Sequence, residues 1–189
     1  MSEQKLHNPK AGDLLISEPF LQDENFVRSV VLLCEHSDEG SFGLIINKPS
    51  ILKLGELVEA LDFLDSELFV GGPVEQNTLH FIYVGDKVLD GSLSLGEKVW
   101  WGGDYDSLIE KLKLGLLDPD SVRFFIGYSG WGSEQLEDEL SDETWIICSE
   151  KLDEQTFSFT PEELWKSLLK NMGGEFKVIA NYPLDPRLN

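Results

Sequence analysis

The chain is poor in cysteine, in positive charge and in long apolar runs, and each shortage argues against a class of protein. Only two cysteines, Cys34 and Cys148, stand in 189 residues. Each lies inside an apolar strand-like run, so both are expected as small buried core residues of a reducing compartment, not as a disulfide. No apolar run approaches the roughly 18 residues that a membrane-spanning helix needs, and the opening MSEQKLHNPKAGDLL has no apolar signal region. A soluble, cytoplasmic protein is expected. Lysine and arginine number 15 against 35 Asp and Glu, a formal net charge of -20. Nucleic-acid affinity comes largely from cationic side chains that release counterions, so direct DNA contact is not expected. The acidic surface suits basic protein partners or divalent cations, or simply solubility.

Several chemical motifs are also missing. There is no D-x-[DN]-x-[DN]-G loop for calcium or magnesium. The possible zinc ligands Cys34, Cys148, His36 and His80 lack the short paired spacings of zinc sites. No metal and no cofactor is therefore expected. Val70-Gly71-Gly72-Pro73 could cradle a phosphate, but no Lys or Arg follows in P-loop position, and it reads as a turn. Gly127-Tyr128-Ser129-Gly130-Trp131 falls short of a nucleophile elbow, because Trp131 stands where the second glycine is required.

What is present is enough apolar residue, 41%, for one core and one domain over residues 1–189, with a leader at 1–10 and an extended tail at 181–189. Two apolar runs, Val27 to Leu33 and Phe42 to Ile46, flank a polar link and read as a hairpin. The first run is apolar on both faces, which predicts a strand covered on both sides. After Ser50, the spacing of Leu54, Leu57, Val58 and Leu61 predicts an amphipathic helix. Short strands follow at 68–70, 79–84 and 98–101, then a helix from Ser107 to Leu114 that stops at Gly115. A strand over 122–128 leads through a glycine-rich link, 127–132, into an acidic helix from Ser133 to about Leu140, and a strand over 144–148 comes next. Thr160-Pro161-Glu162-Glu163 opens a last helix as a capping box with proline at its first position. The order lacks regular β–α alternation and predicts an α+β fold with a mixed, mostly antiparallel, strongly bent sheet.

Chemistry-bearing residues crowd the rims of the hairpin. Cys34 and His36, two apart on a strand, are expected on one face with Glu35 on the other. A thiolate–imidazole pair is one reading; a buried cysteine beside a hydrogen-bonded histidine is the other. Arg28, set in an apolar strand, must find a carboxylate, with Glu35, Asp23 or Glu139 as candidates, or several carbonyls. Trp131, Gln135 and Glu139 recur every four residues beside the glycine link, whereas Glu134, Asp138 and Asp142 form a solvated acidic row. Gly127 and Gly130 lead to a helix N-terminus that could hold an anion, or serve only to turn the chain.

GDLLISEP, FVRSVVLLCEHSDEGSFGLIINKP, FVGGPV, VWWGGD and FFIGYSGWGSEQLEDEL followed by TW, in this order over nearly the whole chain, resemble the YqgE/AlgH family of bacterial proteins. The resemblance implies a single α+β domain with a bulged, highly bent, barrel-like sheet flanked by helices. It also implies a regulator of transcription, since one branch is linked to control of alginate production, but it carries no agreed biochemical mechanism. Arg28, Ser29, Cys34, Glu35, His36 and Asn47 match its motifs, as do Gly71, Gly72, Pro73, Gly127, Tyr128, Gly130, Trp131, Gln135, Glu139 and Trp145. Ser129 stands where the family commonly has alanine. Gly-Ser-Glu-Gln at 132–135 replaces the common Gly-Pro-Gly-Gln. The combined expectation is a regulator that acts through a protein partner or small ligand, held in a groove between the 28–36 strand and the 127–139 segment by Arg28, Asn47, Gly127, Gly130, Trp131, Gln135 and Glu139. The alternative is an enzyme of unknown reaction that uses Cys34, Glu35 and His36.

Overall fold

Alternation along the first long strand divides the interior. The computed structural model describes residues 8–148, 150–153, 157 and 160–183; the beginning of the expected leader and most of the expected tail lie outside them. The predicted hairpin forms from β2 (Val30–Ser37) and β3 (Gly40–Ile45), beside β1 (Leu14–Ser17). Val30, Leu32 and Cys34 enter one core cluster, and Val31 and Leu33 enter another. This strand is therefore apolar on both faces because both are covered.

The remaining strands are β4 (Leu68–Val70), β5 (Val74–Val84), β6 (Leu93–Gly96), β7 (Val99–Trp101), β8 (Val122–Gly132) and β9 (Trp145–Cys148). They form one nine-stranded sheet in the order β6-β7-β5-β8-β3-β2-β1-β9, with β4 added alongside β8. The β4–β8 pair is parallel and the other named pairs are antiparallel. Among the described residues the path ends at β6 and β9, so the sheet is open where a barrel would be closed. Its ladders carry register shifts in β2/β3, β5/β8 and β6/β7.

The glycine-rich run 127–132 is strand, not a link. Gly127 sits mid-strand at φ 65°, in the left-handed region that favours glycine. On one side of it Val122, Phe124 and Ile126 pack on the core beneath β4 and β5; beyond it Trp131 enters the core of the β2–β3 hairpin. A Cβ on Gly127 would lie 2.6 Å from the Gly72 carbonyl oxygen, and one on Gly71 would lie 2.4 Å from that of Gly127. Close backbone crossing explains the Gly71-Gly72 pair without any phosphate.

Among the described residues, helices with full bounds are α1 (Leu54–Leu57), α2 (Tyr105–Lys113), α3 (Gln135–Ser141), α4 (Pro161–Met172) and α5 (Phe176–Ile179). The amphipathic helix expected after Ser50 is reduced to α1 and a 3-10 turn at Glu59–Leu61. The chain doubles back there, and a Cβ on Gly55 would lie 2.9 Å from the Cα of Asp62. Asp104 caps α2, its Oδ1 accepting from Ser107 N at 2.8 Å. Thr160 precedes α4 as predicted, though its hydroxyl donates to the Glu163 carboxylate (2.8 Å) and caps no backbone N–H. α4 buries Leu164, Trp165, Leu168 and Leu169, each contributing about 1.5–3 kcal/mol of transfer free energy. No helix among the described residues is long and apolar enough to cross a membrane.

Candidate functional site

A one-residue irregularity separates the suspected thiol–imidazole pair. The β2–β3 register passes from Leu33 opposite Gly43 to Glu35 opposite Phe42, leaving Cys34 as the extra, unpaired residue of a bulge. An inserted residue reverses the alternation of faces after it. Cys34 therefore points into the core under α4, whereas His36 points to the α3 face. Cys34 Sγ donates to the Leu32 carbonyl at 3.6 Å, and burial, assisted by the charge of Glu35, raises the thiol pKa well above its ordinary value. That is an inert thiol. Glu35 is exposed at the rim.

His36 finds partners that the sequence spacing did not suggest. Its Nδ1 lies 2.8 Å from Ser41 Oγ across the hairpin, and its Nε2 lies 3.4 Å from Glu137 Oε1 on α3. Neither contact is visible without the bulged register.

Trp131, Gln135 and Glu139 do meet, although Trp131 lies on β8 and not on the helix. Glu139 Oε2 accepts from the indole N–H groups of Trp131 (2.9 Å) and Trp145 (2.7 Å), and its Oε1 accepts from Gln135 Nε2 (2.8 Å). Gln135 Oε1 accepts from Gly132 N at 2.9 Å. Both indoles are buried, so this carboxylate ties α3 to β8 and β9. Gly132 N–H, at the approach to the helix, is already engaged by the protein.

Arg28 precedes β2 at φ 49°, outside the strand in which it was expected. Its guanidinium lies 4.9 Å over the Trp165 ring and donates to the Tyr182 carbonyl. It is therefore held by a carbonyl and an aromatic face in place of the suggested carboxylates. Asn47 Nδ2 donates to Arg28 O (2.9 Å) while its Oδ1 accepts from Val30 N (2.8 Å), fixing the entry into β2. Because β3 lies between β2 and β8, the expected groove between those strands is filled by the sheet itself. The seven binding candidates are distributed over both faces: Arg28 beside α4, Asn47 at the β2 entry, Gly127 at the backbone crossing, and Gly130, Trp131, Gln135 and Glu139 along upper β8 and α3.

An open concavity of about 510 Å³ lies elsewhere, where β7 ends beside β5. His80, Trp101 and Tyr105 give it aromatic walls, with Val58, Leu79 and Phe81 between them. Behind Trp101, Phe42 stacks on that indole (centroids 4.9 Å apart) and on Tyr128 (4.6 Å), and His80 meets Phe42 edge-on at 5.2 Å. Thr78 Oγ1 donates its one proton to Glu75 O at 2.8 Å, so at 3.0 Å it can only accept from His80 Nε2–H. In the neutral ring this leaves the lone pair on Nδ1. Burial lowers the His80 pKa against the opposing charge of Glu75, and burial followed by Asp106 raises that of Tyr105. Gly102 and Gly103 also border the opening, and a Cβ on Gly102 would meet no atom within 4 Å. The sequence signal was the VWWGGDY run, in which two bulky rings precede two glycines.

Comparison with known proteins matches residues 14–177 to the model of the AlgH-like family. A UPF0301 protein of Cytophaga hutchinsonii is 46% identical over 179 residues, covering 94% of this chain and 98% of the relative. One of Chlorobium limicola is 37% identical over 180 residues, covering 95% and 96%. The solution structure of the AlgH protein from Pseudomonas aeruginosa superposes with a TM-score of 0.69 at 28% identity, covering 95% of this chain and 98% of that one. A crystal structure from Corynebacterium diphtheriae shares the fold with a TM-score of 0.79 at 20% identity, covering 93% and 94%.

Proposed function

The chain belongs to the AlgH-like family, and from that premise we propose that it is a soluble, cytoplasmic regulatory protein that binds a protein partner or small ligand and does not contact DNA directly. The observation that carries the binding part is the aromatic pocket at the end of β7, whose size and apolar walls are those of a ligand site. By contrast, Cys34 is sealed in the core, and Glu139 and Arg28 are engaged by the protein's own groups. The net charge of -20 disfavours a phosphate backbone as partner. The regulatory part is supported by the family resemblance. Native mass spectrometry of the protein drawn gently from its own cells tests the reading. Wild type is expected to retain a mass that Trp101→Ala loses, and specific duplexes are expected not to bind even at low salt. A tight, sequence-specific duplex complex would overturn the reading.

A second reading, an enzyme, is favoured by the Ser41–His36–Glu137 chain of contacts. A hydroxyl, an imidazole and a carboxylate in sequence can activate a serine for attack on an acyl carbon. Against it, Ser41 and His36 are directly opposed on neighbouring strands, so their contact also follows from sheet pairing alone. A fluorophosphonate probe decides: an enzyme would be labelled at Ser41 in wild type and not in His36→Ala, and an unlabelled serine ends this reading.

A further inference from the structure

We propose that the aromatic pocket seats a lysine or arginine side chain presented by a basic segment of a partner protein. The inference rests on the binding reading above and names what that site takes. Three features of the pocket point to a cation on an apolar stem. It is lined by aromatic and aliphatic side chains and two glycines, and among the described residues none of those lining it is a Lys, Arg, Asp or Glu. An alkyl stem is thus desolvated at little polar cost, while the indole of Trp101 and the phenol of Tyr105 attract a cation through their negative faces. The carboxylates lie just outside. Glu75 acts on His80 and Asp106 on Tyr105 through their charge, and both side chains are exposed.

The imidazole supplies the third feature. With Nε2–H committed to Thr78 Oγ1, neutral His80 carries a lone pair on Nδ1, an acceptor for the N–H groups of an ammonium or guanidinium. An anionic ligand would instead meet two nearby carboxylates and a lone pair. A neutral apolar ligand would fill the walls but leave the carboxylates and the acceptor unused. The net charge of -20 extends the same preference over the whole surface and steers a basic protein toward it.

The test is calorimetric titration of the full chain at low salt with pentapeptides of uncharged flanks, whose central residue is arginine, lysine, citrulline, norleucine or glutamate. Arginine and lysine peptides are expected to bind at least about tenfold tighter than citrulline and norleucine, with the glutamate peptide weakest. Trp101→Leu, which keeps apolar volume but removes the ring face, should remove that preference. The pair Glu75→Gln and Asp106→Asn removes two charges at exposed positions and keeps the side-chain size. It should weaken the cationic peptides and their salt dependence while leaving norleucine unchanged. Equal binding of neutral and cationic peptides overturns the inference and leaves the pocket as a binding site. So does binding of free butylamine without any gain from the peptide context. A pocket that takes none of the probes overturns both.

Discussion

At the scale of single residues, the thiols give the clearest expectation. Burial raises Cys34 well above its ordinary value and pushes Cys148 from 9.0 up to about 11. A raised pKa means that the folded chain holds the proton more tightly than the unfolded chain does. The associated stability is full below pH 9 and is lost as pH climbs through the folded value. For Cys148 this amounts to about 3 kcal/mol between pH 9 and 11. Urea midpoints should fall across that interval, and Cys148→Ala should flatten the fall; a midpoint independent of pH there would contradict the assignment. Glu139 gives a second expectation. Replacing it with alanine strands two buried indole N–H groups and should cost about 2–5 kcal/mol, with glutamine costing less because it keeps an acceptor. Denaturant midpoints at constant m-value measure this, and an unchanged midpoint for Glu139→Ala would show that the tether is dispensable. The four-residue spacing made the meeting of Gln135 and Glu139 on α3 legible, whereas Trp131 reaches Glu139 from β8 and not from the helix on which that spacing placed it. Their purpose was not legible, because Trp145 joins them only through the pairing of β9 with β1. The faces of Cys34 and His36 were misread for a related reason: a bulge changes parity, and no local pattern announces it.

At the scale of elements, β8 is the spine to which both halves of the sheet attach, and Gly127 is where its faces exchange. Gly127→Ala combines left-handed strain with a Cβ 2.6 Å from the Gly72 carbonyl oxygen and 2.8 Å from that of Val74. A loss of about 3 kcal/mol or more is expected by thermal or chemical unfolding, and near-neutral behaviour would mean that the crossing is looser than described. Arg28 anchors the other side. Its bond to Tyr182 O, its place over Trp165 and the stacking of Phe20 on Tyr182 (5.4 Å) hold the segment after α5. Arg28→Ala should speed hydrogen exchange over residues 176–183 while leaving that of β2 and β3 unchanged. Most strands, the place of α2 and the start of α4 were readable because the apolar runs and Thr160-Pro161 act locally, although the expected capping box does not form: the Thr160 hydroxyl meets the Glu163 carboxylate and no backbone N–H. The expected helix after Ser50 and the supposed glycine link at 127–132 were not, because in both places a close approach between backbone segments overrides local preference.

At the scale of the whole molecule, the fold places its two sets of distinctive side chains on different faces. The α3 face holds Trp131, Trp145 and Glu139 in a closed network, and the β7 end holds the open aromatic pocket. Family motifs drew attention to the first set. The second was recorded in the same motifs as VWWGGD but joins His80 and Phe42 only through the β5–β8–β3 order of the sheet, which lies beyond sequence patterning. Seating of a cationic side chain in the aromatic pocket is read out by a proton–nitrogen correlation spectrum of the five tryptophan indoles, recorded while the arginine pentapeptide is added. A progressive, saturable shift of the Trp101 indole is expected, with those of Trp131 and Trp145 unmoved. A shift of Trp131 and Trp145 with Trp101 unmoved would place binding on the α3 face and contradict that seating.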